Sequence, residues 1–129
     1  RRRGHGHDGR GALLVGQLTG FPFPVGGASI FSVRRGEVST LADGLTNVLD
    51  VATDRKGNVY AVEITANGLL SGDPSGAVVR IARDGTRTVI ASDGLITPAG
   101  IAVTRDGWAY VSNNTLAPGQ GQVVRFRLW

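Results

Sequence analysis

Three oxygen-bearing side chains are the strongest candidates for metal chemistry in this sequence: Asp50, Glu63 and Asn113. Carboxylate and amide oxygens are the ligands that Ca²⁺ prefers, and the ion takes about six to eight of them. Three donors would therefore need further oxygens from water or from other segments. The alternative, which we favour, is structural: Glu63, Asn113 and the similarly placed Gln17 satisfy backbone groups of nearby loops. In that interpretation Asp50 caps a turn.

Histidine is confined to the polar N-terminal segment RRRGHGHDGRG, at His5 and His7. Two histidines offer only part of a metal coordination sphere, and no serine or acid from the apolar part of the chain lies near them in sequence. The sequence has no cysteine, which excludes disulfides and thiolate metal sites. We interpret residues 1–11 as a basic, disordered arm and not as a metal-binding clip.

Two aromatic residues, Phe21 and Phe23, alternate with prolines in the segment FPFP. On a loop stiffened by proline they would form a lip that faces a ligand, or a contact between neighbouring structural units. We favour the contact, because each loop of a repeat protein must cover the apolar end of its neighbour.

The chain repeats itself with a spacing of fifty residues. Residues 43–63 read DGLTNVLDVATDRKGNVYAVE, and residues 93–113 read DGLITPAGIAVTRDGWAYVSN without a gap. Asp50 aligns with Gly100, and Glu63 aligns with Asn113. The segment GAVVRI that follows the first copy matches GQVVRF after the second, and residues 12–44 form a degenerate third copy. Self-similarity at this period is typical of repeat architectures.

Each unit contains short runs of Val, Ile, Ala, Thr and Tyr separated by glycine-containing turns, which predicts strands. In the complete unit the strands are expected at about 49–53, 58–63, 77–82 and 86–91. The runs are apolar at successive positions, which indicates sheets buried on both faces. We predict an all-β fold, a β-propeller fragment of about three four-stranded antiparallel blades with the first and last incomplete. The blades are expected at about 12–43, 44–93 and 94–129.

Several motifs resemble one propeller family more closely than others. GLxxPxGIAVxxDGxxYVSN is similar to NHL-like and gluconolactonase-like blades, whereas VGQLTGFPFPVGGASIFSV and YVSNNTLAPGQGQVVRF resemble the C-terminal half of ScyD/ScyE-family propellers. The resemblance implies a closed propeller of about twice this length, exported from a bacterial cell. The likeness to gluconolactonases also implies that Asp50 faces the central channel and holds a cation with Glu63 and Asn113, so Ca²⁺ is the metal to test. No other cofactor is expected.

Charge and hydropathy restrict the partners. Four arginines and one aspartate lie within residues 1–10, so most of the net charge of +4 comes from that segment and the rest is nearly neutral. We therefore predict no nucleic-acid partner. No apolar stretch approaches the roughly 20 residues that span a bilayer. The expected partners are a small-molecule ligand and, across the open ends, either a missing propeller half or a second copy of the chain.

Three functions remain open on sequence alone. The leading hypothesis is a noncatalytic binding or scaffold module of an exported propeller. The second is a metal-dependent hydrolase or lactonase of gluconolactonase type. The third is a truncated product without function. The fold hosts many activities, so the fold alone does not choose among them.

Overall fold

The protein is described by a computed structural model that covers residues 11–129 in full and the backbone of residues 2–7. The described residues form eleven β-strands and no helix, so none of them lies in a helix that could cross a membrane. The strands assemble into three separate antiparallel sheets. The prediction of an all-β propeller fragment is confirmed.

Blade 2 is the complete sequence repeat, and its strands follow the prediction to within one residue at each end. Its sheet has the order β5-β6-β7-β8. The strands are β5 (Val48–Thr53), β6 (Val59–Glu63), β7 (Ala77–Ile81) and β8 (Arg87–Ala91). Every residue of β6 is buried, as a continuous apolar run predicts for a strand covered on both faces.

Blade 1 differs from the prediction, because it has four strands and not three. They are β1 (Arg2–His7), β2 (Leu13–Gln17), β3 (Ala28–Arg34) and β4 (Glu37–Leu45). The prediction of a disordered arm over residues 1–11 is therefore wrong for Arg2–His7, whose backbone pairs with β2. The prediction failed because strand pairing uses main-chain groups, which a polar, glycine-rich segment supplies as well as an apolar one. The proposed histidine metal clip concerns side chains outside the described part of the structure.

Blade 3 has three strands in the order β11-β10-β9, so the last blade is incomplete, as predicted. They are β9 (Ile101–Val103), β10 (Trp108–Asn113) and β11 (Gln122–Arg127). Among the described residues no strand pairs with the outer edge of β11. The guanidinium groups of Arg125 and Arg127 lie over the ring of Trp108, at 4.4 and 4.8 Å from its centroid.

The core consists of two apolar layers, one between each pair of adjacent blades. The layer between blades 1 and 2 includes Leu14, Ile30 and Val51, and the layer between blades 2 and 3 is centred on Tyr60 and Val111. The inner strands lie side by side, since β1 contacts β5 and β5 contacts β9. This radial arrangement places the ends of the inner strands, and the loops beside them, around one common cleft.

Candidate binding cleft

A cleft of about 780 Å³ lies where loops from all three blades converge beside the inner strands. The residues that line it are Leu18, Leu49, Asp50, Ile64, Leu69, Ala99, Gly100, Ser112, Thr115 and Leu116. Most of this lining is aliphatic, and among the lining residues that the structure describes Asp50 is the single ionisable side chain. Small-molecule sites generally combine an apolar wall with a few polar groups in this way.

Asp50 is held in place by two backbone donors from different blades. Its Oδ1 accepts a hydrogen bond from the amide of Val51 at 2.9 Å, and its Oδ2 accepts one from the amide of Ile101 in β9 at 3.0 Å. A register shift between Val48 and Asp50 turns the strand at this point. Asp50 therefore bridges the inner strands of blades 2 and 3, whereas the sequence interpretation limited it to a local turn.

Gly100, the repeat partner of Asp50, leaves space beside that carboxylate. A Cβ atom at position 100 would lie 3.8 Å from Asp50 Oδ2 and 3.4 Å from the hydroxyl of Ser112. The Ser112 hydroxyl accepts a hydrogen bond from the Gly100 amide at 2.8 Å. The small residue thus keeps the polar corner of the cleft open.

Glu63 is buried, and its carboxylate serves the backbone of its own blade. Its Oε2 accepts a hydrogen bond from the amide of Thr46 at 2.7 Å. Burial raises the pKa of Glu63 above its ordinary value, although the Thr46 hydrogen bond and the positive charge of Arg87 act in the opposite direction. Glu63 does not line the cleft.

Asn113 repeats this arrangement in blade 3. Its Oδ1 accepts a hydrogen bond from the amide of Ile96 at 2.8 Å, and its Nδ2 donates to the carbonyl of Gly94 at 2.8 Å. Ile96 is the repeat partner of the residue that Glu63 binds. In blade 1, Gln17 Oε1 accepts from the amide of Ser29 at 3.1 Å. Each of these three side chains, Glu63, Asn113 and Gln17, accepts a hydrogen bond from a backbone amide. This is the contact that the structural interpretation of the sequence describes.

The three predicted metal ligands do not share one site in this arrangement. Asp50 lines the cleft, whereas Glu63 and Asn113 point to backbone amides outside it. Within the part of the chain that the structure describes, no group of three or more His, Cys, Asp or Glu side chains is placed to hold a metal ion. These residues do not fit a three-ligand metal centre, and the metal site stays a prediction.

Replacing Glu63 tests its structural role. Glu63→Leu should lower the free energy of unfolding by about 1–3 kcal/mol, because the buried Thr46 amide loses its acceptor. Glu63→Gln keeps an acceptor and should be far less damaging. The folded-state pKa of Glu63 is raised, so the wild type loses stability as the pH rises through that pKa. The stability of Glu63→Gln relative to the wild type should therefore increase toward neutral pH. Urea unfolding at pH 4 and pH 7 measures both effects, and equal losses in the two variants would contradict the assignment.

Phe21 and Phe23 lie on a loop of blade 1, outside the cleft. Their rings meet edge to face, with centroids 6.1 Å apart, and the Phe21 side chain is 79% exposed. The same loop approaches blade 2, where a Cβ atom at Gly68 would lie 3.0 Å from the Val25 side chain. The loop thus lies against the neighbouring blade, and its role as a ligand lip stays a prediction.

Sequence reasoning missed the apolar residues that dominate the cleft. Leu18, Ile64, Leu69 and Leu116 all lie in loops, and Leu116 is 66% exposed. The available signal was the presence of leucine in segments that otherwise read as polar turns, such as NGLLSGDPSG and NNTLAPGQG.

Comparison with known proteins identifies the fold. The sequence matches no protein-family model and no curated protein. An X-ray structure assigned to the gluconolactonases superposes with a TM-score of 0.68 at 19% identity, covering 98% of this chain and 49% of the other. A gluconolactonase from Xanthomonas campestris superposes with a TM-score of 0.73 at 17% identity, covering 98% of this chain and 44% of the other. The chain thus has the fold of a gluconolactonase-type β-propeller and spans about half the length of these structures.

Proposed function

We propose that this chain is a noncatalytic binding module whose cleft takes a small ligand with an aliphatic body and a cationic or hydrogen-bond-donating end. The observation that carries the proposal is the combination of an aliphatic cleft with one carboxylate, Asp50, at its inner corner. A cleft of about 780 Å³ has the size of typical small-molecule sites.

The aliphatic lining favours a ligand with a hydrocarbon body. Leu18, Leu49, Ile64, Leu69 and Leu116 contribute side chains from all three blades. Each ligand methylene buried against such a surface gains about 0.8 kcal/mol. An aliphatic chain of several carbons would therefore supply most of the binding free energy.

The polar end of the cleft favours a donor or a cation. Asp50 accepts one backbone hydrogen bond at each oxygen, and a carboxylate oxygen has capacity for another. The loops at this end, residues 18–27, 64–76, 92–100 and 114–121, contain Asp73 and Asp93 but neither lysine nor arginine. These loops therefore add negative charge and no positive charge near Asp50, which favours a cation there.

Three ligands of equal length but different charge test this proposal. Octylammonium, octanol and octanoate are titrated below their aggregation concentrations, and binding is followed by ligand-observed NMR. We expect octylammonium to bind about tenfold more tightly than octanoate, a difference of about 1.4 kcal/mol, with octanol between them.

Two variants assign the preference to Asp50. Asp50→Asn should remove the difference between the charged ligands, whereas Asp73→Asn, a loop aspartate outside the cleft, should preserve it. Equal binding of all three ligands, no binding at all, or a preference that survives Asp50→Asn would overturn the proposal.

A gluconolactonase-type lactonase is the second candidate, and the fold of the two solved structures favours it. The test is hydrolysis of D-glucono-δ-lactone by the full chain with and without CaCl₂, together with the melting temperature. On the binding proposal, hydrolysis stays at the uncatalysed rate and calcium leaves the melting temperature of the wild type, Asp50→Asn and Asp50→Ala unchanged. Calcium-dependent turnover, with a melting shift of several degrees that Asp50→Ala abolishes, would make the lactonase the leading function.

A further inference from the structure

The two outer blades each expose one sheet face whose equivalents are buried elsewhere in the molecule. We call the face that a blade turns toward the preceding blade its back face, and the face toward the following blade its front face. The back face of blade 1 and the front face of blade 3 have no neighbour among the described residues. The internal repeat shows what normally covers each of them.

The back face of blade 1 has the composition of a buried inter-blade surface. Strand register places Leu13, Val15, Phe31 and Val33 together on this face. By the same register, the corresponding residues of blade 2 pack against blade 1 with exposures of 0–6%: Val59, Ala61, Val79 and Ile81. On blade 1, Val15 is buried, but Leu13, Phe31 and Val33 are only half-buried, and the nearby Val38 is 55% exposed.

The front face of blade 3 repeats the front face of blade 2. In blade 2, Tyr60 pairs with Arg80 across the strands and is fully buried beneath blade 3. In blade 3, Tyr110 pairs with Arg125 in the same register, but Tyr110 is only half-buried, and its neighbour Val123 is 72% exposed. Within this molecule, the tyrosine–arginine front face of blade 2 is covered by the back face of blade 3.

We propose that two copies of this chain associate head to tail, the front face of blade 3 in each copy packing on the back face of blade 1 in the other, to close a six-bladed ring. Each copy supplies three blades, and propellers of four to eight blades are usual. The chain matches 49% and 44% of the length of two solved propellers, so two copies together have about the length of such a ring. A twofold axis relates the copies, and both open faces are covered at once.

The first test is the mass of the wild-type chain in solution. Light scattering coupled to size exclusion, over a hundredfold range of concentration, should give twice the chain mass of 13.5 kDa. A mass of one chain throughout, or one that keeps growing beyond two chains, overturns the proposal.

Complementary variants then test the head-to-tail geometry. Phe31→Glu places a charge in the back face of blade 1, and Tyr110→Lys places one in the front face of blade 3. Each variant alone should be a monomer, because a buried charge without a partner opposes both junctions of the ring. A 1:1 mixture should recover the dimer, since it contains one wild-type junction and one junction with opposite charges.

The remaining outcomes also decide the question. Leu70→Glu is the control, because Leu70 is 60% exposed on a loop of blade 2 away from both faces, and it should leave the dimer intact. A symmetric contact between two front faces would be lost in Tyr110→Lys and kept in Phe31→Glu, which would overturn the head-to-tail ring. Far-UV circular dichroism establishes that each variant is folded, and the wild-type mass decides the proposal if one is not.

Discussion

Gly76→Ala should lower the free energy of unfolding by about 3 kcal/mol. A Cβ atom at position 76 would lie 2.3 Å from Pro98 Cδ and 2.6 Å from the carbonyl oxygen of Glu63. Gly76 is buried at the start of β7, and its amide donates to the carbonyl of Leu95 at 3.0 Å. Because a backbone carbonyl is one of the two obstacles, the clash can be relieved only by moving the strand.

The repeat supplies a matched control for this substitution. Gly121 occupies the same place before β11, but a Cβ atom there would meet nothing within 4 Å. Gly121→Ala should therefore change the stability by no more than about 0.5 kcal/mol. Chemical unfolding of both variants measures the difference, and similar losses at the two positions would show that steric crowding at Gly76 is not the cause.

Asp54→Ala should cost a similar amount, about 3 kcal/mol, because it removes the centre of a buried hydrogen-bond network. Asp54 Oδ1 accepts from the amides of Lys56 and Asn58, at 2.8 and 3.0 Å. Its Oδ2 accepts from Asn58 Nδ2 at 2.9 Å and from the hydroxyl of Tyr60 at 2.7 Å. The alanine variant would leave the Tyr60 hydroxyl without this acceptor in the layer between blades 2 and 3.

Asp84→Ala is the matched control, since Asp84 occupies the other hairpin turn of blade 2. It is exposed and accepts a hydrogen bond from the amide of Thr86 at 2.9 Å. Its removal should cost about 0.5 kcal/mol or less. Guanidinium titrations of the two variants should therefore separate clearly, and coincident curves would refute the buried network.

The same network contributes to the pH dependence of stability. Burial raises the pKa of Asp54, but hydrogen bonds from Asn58, Tyr60 and Lys56 outweigh it and hold the pKa below the ordinary 3.8. This stabilisation is present above pH 3.8 and is lost as the pH falls through the folded-state pKa. Burial and the Asp54 carboxylate raise the pKa of Tyr60 from 10.0 to about 12, so its contribution is complete below pH 10 and is lost toward pH 12.

Sequence periodicity predicted the blades well because the buried strands carry the signal themselves. Strand β6 was predicted at 58–63 and lies at Val59–Glu63, since Val59, Ala61 and Val62 make it apolar on both faces. Strand β1 was missed because Arg2–His7 has no apolar pattern and is recruited by the unpaired edge of β2. The hydrophobic pattern of a sequence shows which side chains are buried. It does not reveal strands that are held through backbone hydrogen bonds.

The candidate site was predicted only in part. Asp50 could be singled out because the repeat places glycine at its partner position, and the structure puts that Gly100 beside the carboxylate. The aliphatic lining could not be predicted, because Leu18, Leu69 and Leu116 meet only through the conformations of three separate loops. Comparison of the repeats therefore reveals a residue that departs from the repeat pattern, here Asp50. It does not reveal the loop residues that surround that side chain in the cleft.

Charged residues on the open edge strand β11 disfavour polymerisation through strand pairing between molecules. Unpaired strand edges recruit other strands, and proteins commonly discourage this with charged side chains. Arg125 and Arg127 lie on this strand with their guanidinium groups stacked on Trp108, so two such edges that paired would bring four fixed positive charges together. Growth along the hydrogen-bonding direction is thereby disfavoured, while the face of blade 3 that carries Tyr110 and Arg125 remains accessible to a partner.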